Sequence, residues 1–241
     1  MKVSVIIPAA GESKRFGGKS KKIFAQIAGR CVLLRTLELF VNRKDVCQVI
    51  LVVAQEDSET IRTRYGSNLS MMGIETVIGG PTRTKSVSNA LTKVNSQADY
   101  VCVHDAVRPC VSQLWIDKVF QAACEHGSAI LAYPIHATVK KLGRDNEIIQ
   151  TVRRDDLWQA QTPQVFRKEI LIRAYQNAPG RADDDAALVE AIGEKVIVVP
   201  GDPRNIKITT REDLVLAQAV IDTLPKPKIA GPTNPLEEAK W

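Results

Sequence analysis

The chain has 241 residues, 44% hydrophobic, 25% charged and 5% aromatic, with 33 Lys+Arg against 27 Asp+Glu and a formal net charge of +6. This composition excludes disordered, collagenous and low-complexity classes, and the length suffices for a large buried core. No apolar run approaches the roughly 18 residues of a spanning helix, and five cysteines without a C-x-x-C pair argue against a disulfide framework or metal cluster. The expectation is a cytoplasmic protein with no membrane partner, whose basicity serves some anion.

Val3–Pro8 (VSVIIP) reads as a first strand, and Val32–Val41 as a helix after a Gly/Lys-rich loop. Gln48–Ala54 is a second strand, followed by a polar helix around Ser58–Tyr65. Ile74–Ile78 is a third strand, with a helix at Thr84–Val94 behind the GGPTR turn. Tyr100–His104 is a fourth, followed by a helix near Gln113–Glu125, and Ser128–Pro134 is a fifth. Strands alternating with helices, several apolar on both faces, predict an α/β fold: a Rossmann-like, mainly parallel twisted sheet with helices on both sides.

The pattern then changes. His136–Arg153 places a Gly-Arg-Asp-Asn turn between two short strand-like runs, an inserted β-hairpin arm. Helical spacing returns at Lys168–Gln176 and Asp184–Ile192, with a strand at Lys195–Val199 and a last helix near Arg211–Leu224. Residues 1–224 thus read as one domain and 225–241 as a Pro-rich tail.

Chemistry concentrates in PAAGESKRFGGKSKK, Pro8 to Lys22, directly after the first strand. Ligands of open α/β sheets bind beyond the strands' carboxyl ends, and the first turn is the usual phosphate site. Small Ala9, Ala10 and Gly11 let the backbone approach a ligand, while Arg15, Lys19, Lys21 and Lys22 supply cations. Neither G-x-G-x-x-G nor a Walker loop is present, and Ala54-Gln55 offers no acid for a ribose. An NAD(P)-dependent oxidoreductase is therefore disfavoured. Few, scattered aromatics disfavour nucleic acid as a partner. Taken singly, Lys207 reads as a solvated lysine, Thr162-Pro163 as a turn and His104 as hydrogen-bonded structure.

Taken together the segments say more. The first loop resembles the A-A-G-x-x-x-R-x(n)-P-K signature of the sugar and polyol-phosphate nucleotidylyltransferases. GGPTRTKSV, VHDAVRP, Thr162-Pro163-Gln164 and NIKITTREDL follow in the order of the 2-C-methyl-D-erythritol 4-phosphate cytidylyltransferase family, from Pro8 to Leu214. The resemblance implies CTP and a polyol phosphate as substrates, Mg²⁺ as cofactor and a homodimer with shared sites. It implies Arg15 and Lys22 on the triphosphate, with Arg154 and Lys207 as further catalytic groups orienting the polyol phosphate. It implies Ala9, Ala10, Gly11, Gly80, Ser86 and Asp105 for CTP, Asp105 also carrying the metal. Arg108, Thr138, Arg154, Thr162, Asp183 and Lys207 would hold the polyol phosphate, with Thr138 and Arg154 crossing to the partner on the arm. The sequence departs from the family pattern at Lys21, Pro81 and Asp183, where proline, an acid and threonine are usual. A ribitol-5-phosphate cytidylyltransferase is the nearest alternative reading.

Overall fold

The computed structural model describes residues 1–17, 21–177 and 182–226; Lys19 and the tail beyond Lys226 lie outside them. β1 (Val3–Pro8) leads through a short pair, β2 (Gln26–Ile27) and β3 (Arg30–Cys31), into α1 (Val32–Val41) and β4 (Val46–Val53). α2 (Ser58–Met71), β5 (Glu75–Ile78), α3 (Arg83–Leu91), β6 (Tyr100–Val103), α4 (Gln113–His126) and β7 (Ser128–Pro134) follow. Beyond them come β8 (Val139–Leu142), β9 (Ile148–Val152), β10 (Trp158–Arg167), α5 (Lys168–Gln176), α6 (Asp185–Ala191), β11 (Ile197–Pro200) and α7 (Arg211–Val220).

Seven strands form one sheet in the order β11-β7-β10-β6-β1-β4-β5. β1 pairs in parallel with β4 and β6, β4 with β5, and β7 with β11. Only β10 runs antiparallel, to both of its neighbours. The period-2 alternation of β1 explains the layering: Val3, Val5 and Ile7 join one core cluster and Ile6 the other. α1 and α4 cover the first face, with Leu37, Phe40, Ile116 and Phe120 buried; α3, α5 and α6 cover the second, with Val87, Leu171 and Leu188 buried. The Thr36 hydroxyl lies 3.0 Å from both Val32 O and Ala106 O, tying α1 to the loop that leaves β6.

β10 corrects the sequence reading, which saw only a turn at Thr162-Pro163. Proline lacks the N–H of a central strand, and here it occupies an irregular stretch where the register with β7 shifts between Ala160 and Gln164. The strand's buried glutamines are satisfied at a distance in sequence. Gln161 Nε2 donates to Asp202 O at 2.9 Å, and Gln164 Nε2 donates to Asp184 Oδ2 at 2.9 Å. Element ends also differ: α2 continues to Met71, β11 begins at Ile197, and α7 stops at Val220 before a 3₁₀ turn.

The arm is present as expected. β8 and β9 pair antiparallel outside the main sheet, turning through Asp145 and Asn146 at φ 58° and 62°. Leu142, Ile148 and Ile149 are 51%, 58% and 62% exposed on it, so one chain alone leaves this apolar surface uncovered. No helix among the described residues is long and apolar enough to cross a membrane.

Candidate active site

The carboxyl ends of β1, β4, β5 and β6 open into a cavity of about 680 Å³, where open α/β sheets bind ligands. Ala9, Ala10, Gly11, Arg15 and Lys22 line it from the first loop, and Gly80 and Ser86 from the turn after β5. A smaller cavity of about 220 Å³ adjoins it, lined by Arg108, Thr162 and Asp183 among others. Arg83, Asp105 and Lys207 line both, so these three side chains form the shared wall.

The first loop is held at both ends. Ala9 N donates to Val52 O at 2.7 Å, and Phe16 and Ile23 are buried. Lys21 has φ −69°, the angle a proline would impose. Its ammonium lies 2.6 Å from Asp57 Oδ2 and 3.0 Å from Glu56 Oε1. An ion pair to the 3₁₀ turn between β4 and α2 thus supplies the tether that the missing proline ring would have given. Lys22, the next residue, is left facing the cavity without an ion pair among the described residues. Burial, and after it the charges of Lys207 and Arg15, push its ammonium below the ordinary lysine range, with Asp105 opposing. A half-buried cation short of a counter-ion is what an anionic ligand completes.

Asp105 has the opposite balance. Burial alone would raise its carboxyl, but Lys207, Arg83 and Arg108 outweigh it and hold the group well below the usual carboxylate range. Lys207 Nζ at 2.9 Å and Arg108 Nε at 3.3 Å both engage Oδ2, whereas Oδ1, among the described residues, faces only Arg83 Nε at 3.7 Å. Oδ1 therefore keeps a free lone pair. No cluster of three or more His, Cys, Asp or Glu suited to a metal occurs among the described residues. One ionised carboxylate suits Mg²⁺ held chiefly by phosphates and water, and does not suit a protein cage.

Arg108 is buried, not a surface arginine, and donates Nη1 to Asn205 O at 2.6 Å. Ile208 N donates to Val107 O at 2.9 Å, which sets Lys207 beside the Asp105 loop. The Ser86 hydroxyl accepts from Gly80 N at 3.1 Å and lies 2.9 Å from Thr82 O, so it shapes the glycine turn. Thr138 and Arg154 line neither cavity; both are exposed at the base of the arm, where Arg154 donates to His136 O.

Sequence reasoning missed two residues. Arg83, the arginine of the G-G-x-x-R segment, bridges from α3 to Asp185 Oδ2 at 2.7 Å, and the Tyr175 hydroxyl donates to Asp185 Oδ1 at 2.5 Å. This network locks the turn after β5 to the start of α6, beside Asp183. Gly79 is the other: a Cβ there would stand 2.7 Å from Ala10 Cβ and 2.8 Å from Ser86 Oγ. Gly79→Ala should destabilise by about 1–3 kcal/mol, as overpacking does, and lower the melting temperature accordingly. A melting temperature equal to the parent's would contradict the close approach.

The comparisons with known proteins agree with one another. A family model described as 2-C-methyl-D-erythritol 4-phosphate cytidylyltransferase matches residues 3–223. A protein of that name from Rhodopirellula baltica is 40% identical over 232 residues, covering 91% of this chain and 95% of that one. One from Symbiobacterium thermophilum is 40% identical over 225 residues, covering 91% and 93%. The crystal structure of the Thermus thermophilus protein of the same name superposes with a TM-score of 0.76 at 33% identity, covering 92% of this chain and 100% of that one. The structure of 4-diphosphocytidyl-2C-methyl-D-erythritol synthase from Anaerococcus prevotii gives 0.79 at 32%, covering 92% and 96%.

Proposed function

The chain belongs to the 2-C-methyl-D-erythritol 4-phosphate cytidylyltransferase family, and from that premise we propose how its two cavities divide the reaction. The enzyme transfers the cytidylyl group of CTP to 2-C-methyl-D-erythritol 4-phosphate in the isoprenoid pathway, releasing pyrophosphate. The larger cavity takes CTP, with the Gly80–Ser86 turn against cytosine and the first loop around the phosphates. The smaller takes the polyol phosphate. The Asp105–Lys207–Arg83 wall between them is where the two anions meet.

The nucleophile is a phosphate monoester whose second pKa is about 6, so near neutral pH it needs no general base. The task is to neutralise two polyanions and the further charge of the transition state. Lys22 and Arg15 do this at the triphosphate, and Lys207 and Arg108 at the polyol phosphate. Lys207, its Nζ 2.9 Å from Asp105 Oδ2, stands on the shared wall within reach of the incoming phosphate. Asp105 Oδ1 is the protein oxygen we assign to Mg²⁺, which when bound withdraws charge from the triphosphate. The observation that carries this reading is the half-buried Lys22 ammonium, without an ion pair among the described residues, which lines the larger cavity together with that wall.

Arg154 and Thr138 lie outside their own chain's cavities, and the arm exposes Leu142, Ile148 and Ile149. We therefore assign the arm to a homodimer in which these two residues complete the partner's smaller cavity. Residues 1–224 act as one catalytic domain with this arm inserted. Cytoplasmic placement accords with five free cysteines.

Pyrophosphate release, measured over the four ribonucleoside triphosphates and several polyol phosphates, tests the division of the site. Turnover is expected with CTP and methylerythritol phosphate and is expected to be far slower with purine nucleotides. Equal rates with ribitol 5-phosphate would overturn the assignment of the smaller cavity.

A further inference from the structure

One set of hydrogen bonds behind the shared wall is used by none of the steps above. His104, fully buried at the end of β6, places Nε2 3.0 Å from Arg108 O and Nδ1 3.0 Å from Thr162 Oγ1. The same Thr162 oxygen receives Asp105 N–H at 3.1 Å. We propose that His104 and Thr162 are positioning residues that fix the Asp105–Arg108 turn, and that the Thr162 hydroxyl is not a donor to substrate phosphate.

The direction of every proton follows from chemistry. A carbonyl oxygen only accepts, so His104 Nε2 must carry the hydrogen that meets Arg108 O. A backbone N–H only donates, so Thr162 Oγ1 must accept from Asp105. His104 has no carboxylate partner among the described residues and packs its fully buried ring 5.2 Å from that of Phe40, surroundings that disfavour an unpaired charge. The imidazole is neutral, Nδ1 is bare, and the Thr162 hydroxyl donates to it. The relay runs from Asp105 N through Thr162 and His104 to Arg108 O, and every donor in it is spent.

Two consequences follow. Phosphate oxygens only accept, and Thr162 has no hydrogen left for one, although it lines the smaller cavity. Both ends of the relay belong to the Asp105–Arg108 turn, whose own backbone bond joins Arg108 N to Asp105 O at 3.1 Å. That turn carries the carboxylate and the guanidinium of the shared wall. Its only tie through this relay to β10, which also lines the smaller cavity, is the threonine hydroxyl. A turn released from β10 would misplace both charges together, and misplacement shows mainly in the transition state.

The inference rests on the assignment of Asp105 and Arg108 to the reaction above. Activity of the parent chain on CTP and methylerythritol phosphate is the separate control for that assignment. Thr162→Val, Thr162→Ser, His104→Phe and the double variant His104→Phe/Thr162→Val are compared by steady-state kinetics, with folding followed by circular dichroism. Thr162→Val and His104→Phe should each lower kcat about 10- to 100-fold, the scale on which outer partners of functional groups act. Their KM values should move less than about threefold, the signature of a loss confined to the transition state. Thr162→Ser should keep near-parent kcat, and the double variant should be no slower than the worse single one. A rise in KM for the polyol phosphate alone in Thr162→Val would overturn the proposal, because it marks a direct substrate contact. Parent-like kcat in either single variant, or multiplicative losses in the double, would overturn it equally. Should His104→Phe fail to fold, the Thr162→Val and Thr162→Ser pair decides the matter by the same two criteria.

Discussion

Lys22→Ala should lower kcat at least about 10²-fold, the loss that follows removal of one transition-state donor, in a protein that still folds. Folding survives because the Lys22 ammonium makes no ion pair among the described residues, while the neighbouring Lys21–Asp57 bond at 2.6 Å keeps the loop anchored. Arg15→Ala, on the same loop and facing the same cavity, should lose activity on the same scale. The pH profile gives an independent reading. Lys22 must be protonated to act, and burial with Lys207 lowers its pKa, so kcat/KM should fall on the alkaline side before an ordinary lysine would titrate. Lys22→Arg should move that limb to higher pH, since guanidinium does not deprotonate in this range. Pyrophosphate-release kinetics measure both effects. Turnover within a few-fold of the parent in Lys22→Ala would remove the lysine from the mechanism.

Mixing two inactive variants should restore activity. Arg154→Ala removes a group that we assign to the partner's cavity, and Lys22→Ala removes one from its own. Each homodimer then has two defective sites. In a hybrid dimer one site carries both defects and the other carries neither, by the two-fold symmetry of the pairing. Random exchange of equal amounts makes about half the dimers hybrid, so about a quarter of the parent activity should return. Co-expression with two affinity tags isolates the hybrid, which should then show about half. A verified hybrid with no activity would show that Arg154 does not serve the neighbouring site.

Much of this was legible in the sequence because it is local. The bounds of β1, α1, β7 and α5 follow from short apolar runs and helical spacing, and the structure reproduces them. The first loop and the Asp105 segment were legible because the site gathers at strand ends. β10 was not, since its evidence is distant: Gln164 is satisfied by Asp184, Asp185 and Ala186, and its strand partners lie on β6 and β7. Read locally, Trp158–Arg167 offers three glutamines and a proline, a poor strand by propensity. Arg83 was hidden for the same reason. In the first turn of α3 it reads as a solvated arginine, and only Asp185, 102 residues on, reveals it as structural. The proton order of the Thr162–His104 relay is likewise invisible until both of its fixed ends are in view.

The place of β10 also sets a schedule for the ribosome. β6 and β7 are close in sequence but not adjacent in space, because β10 stands between them. Until Arg167 has been synthesised and has left the exit tunnel, β6-β1-β4-β5 is a four-stranded sheet with a bare edge at β6, and β7 is a lone strand with both edges unpaired. Such edges recruit other chains. Translation arrested after β7 therefore leaves a nascent product that has made most of its hydrophobic strands and cannot yet join them, which makes this stretch the interval in which chaperone protection matters most.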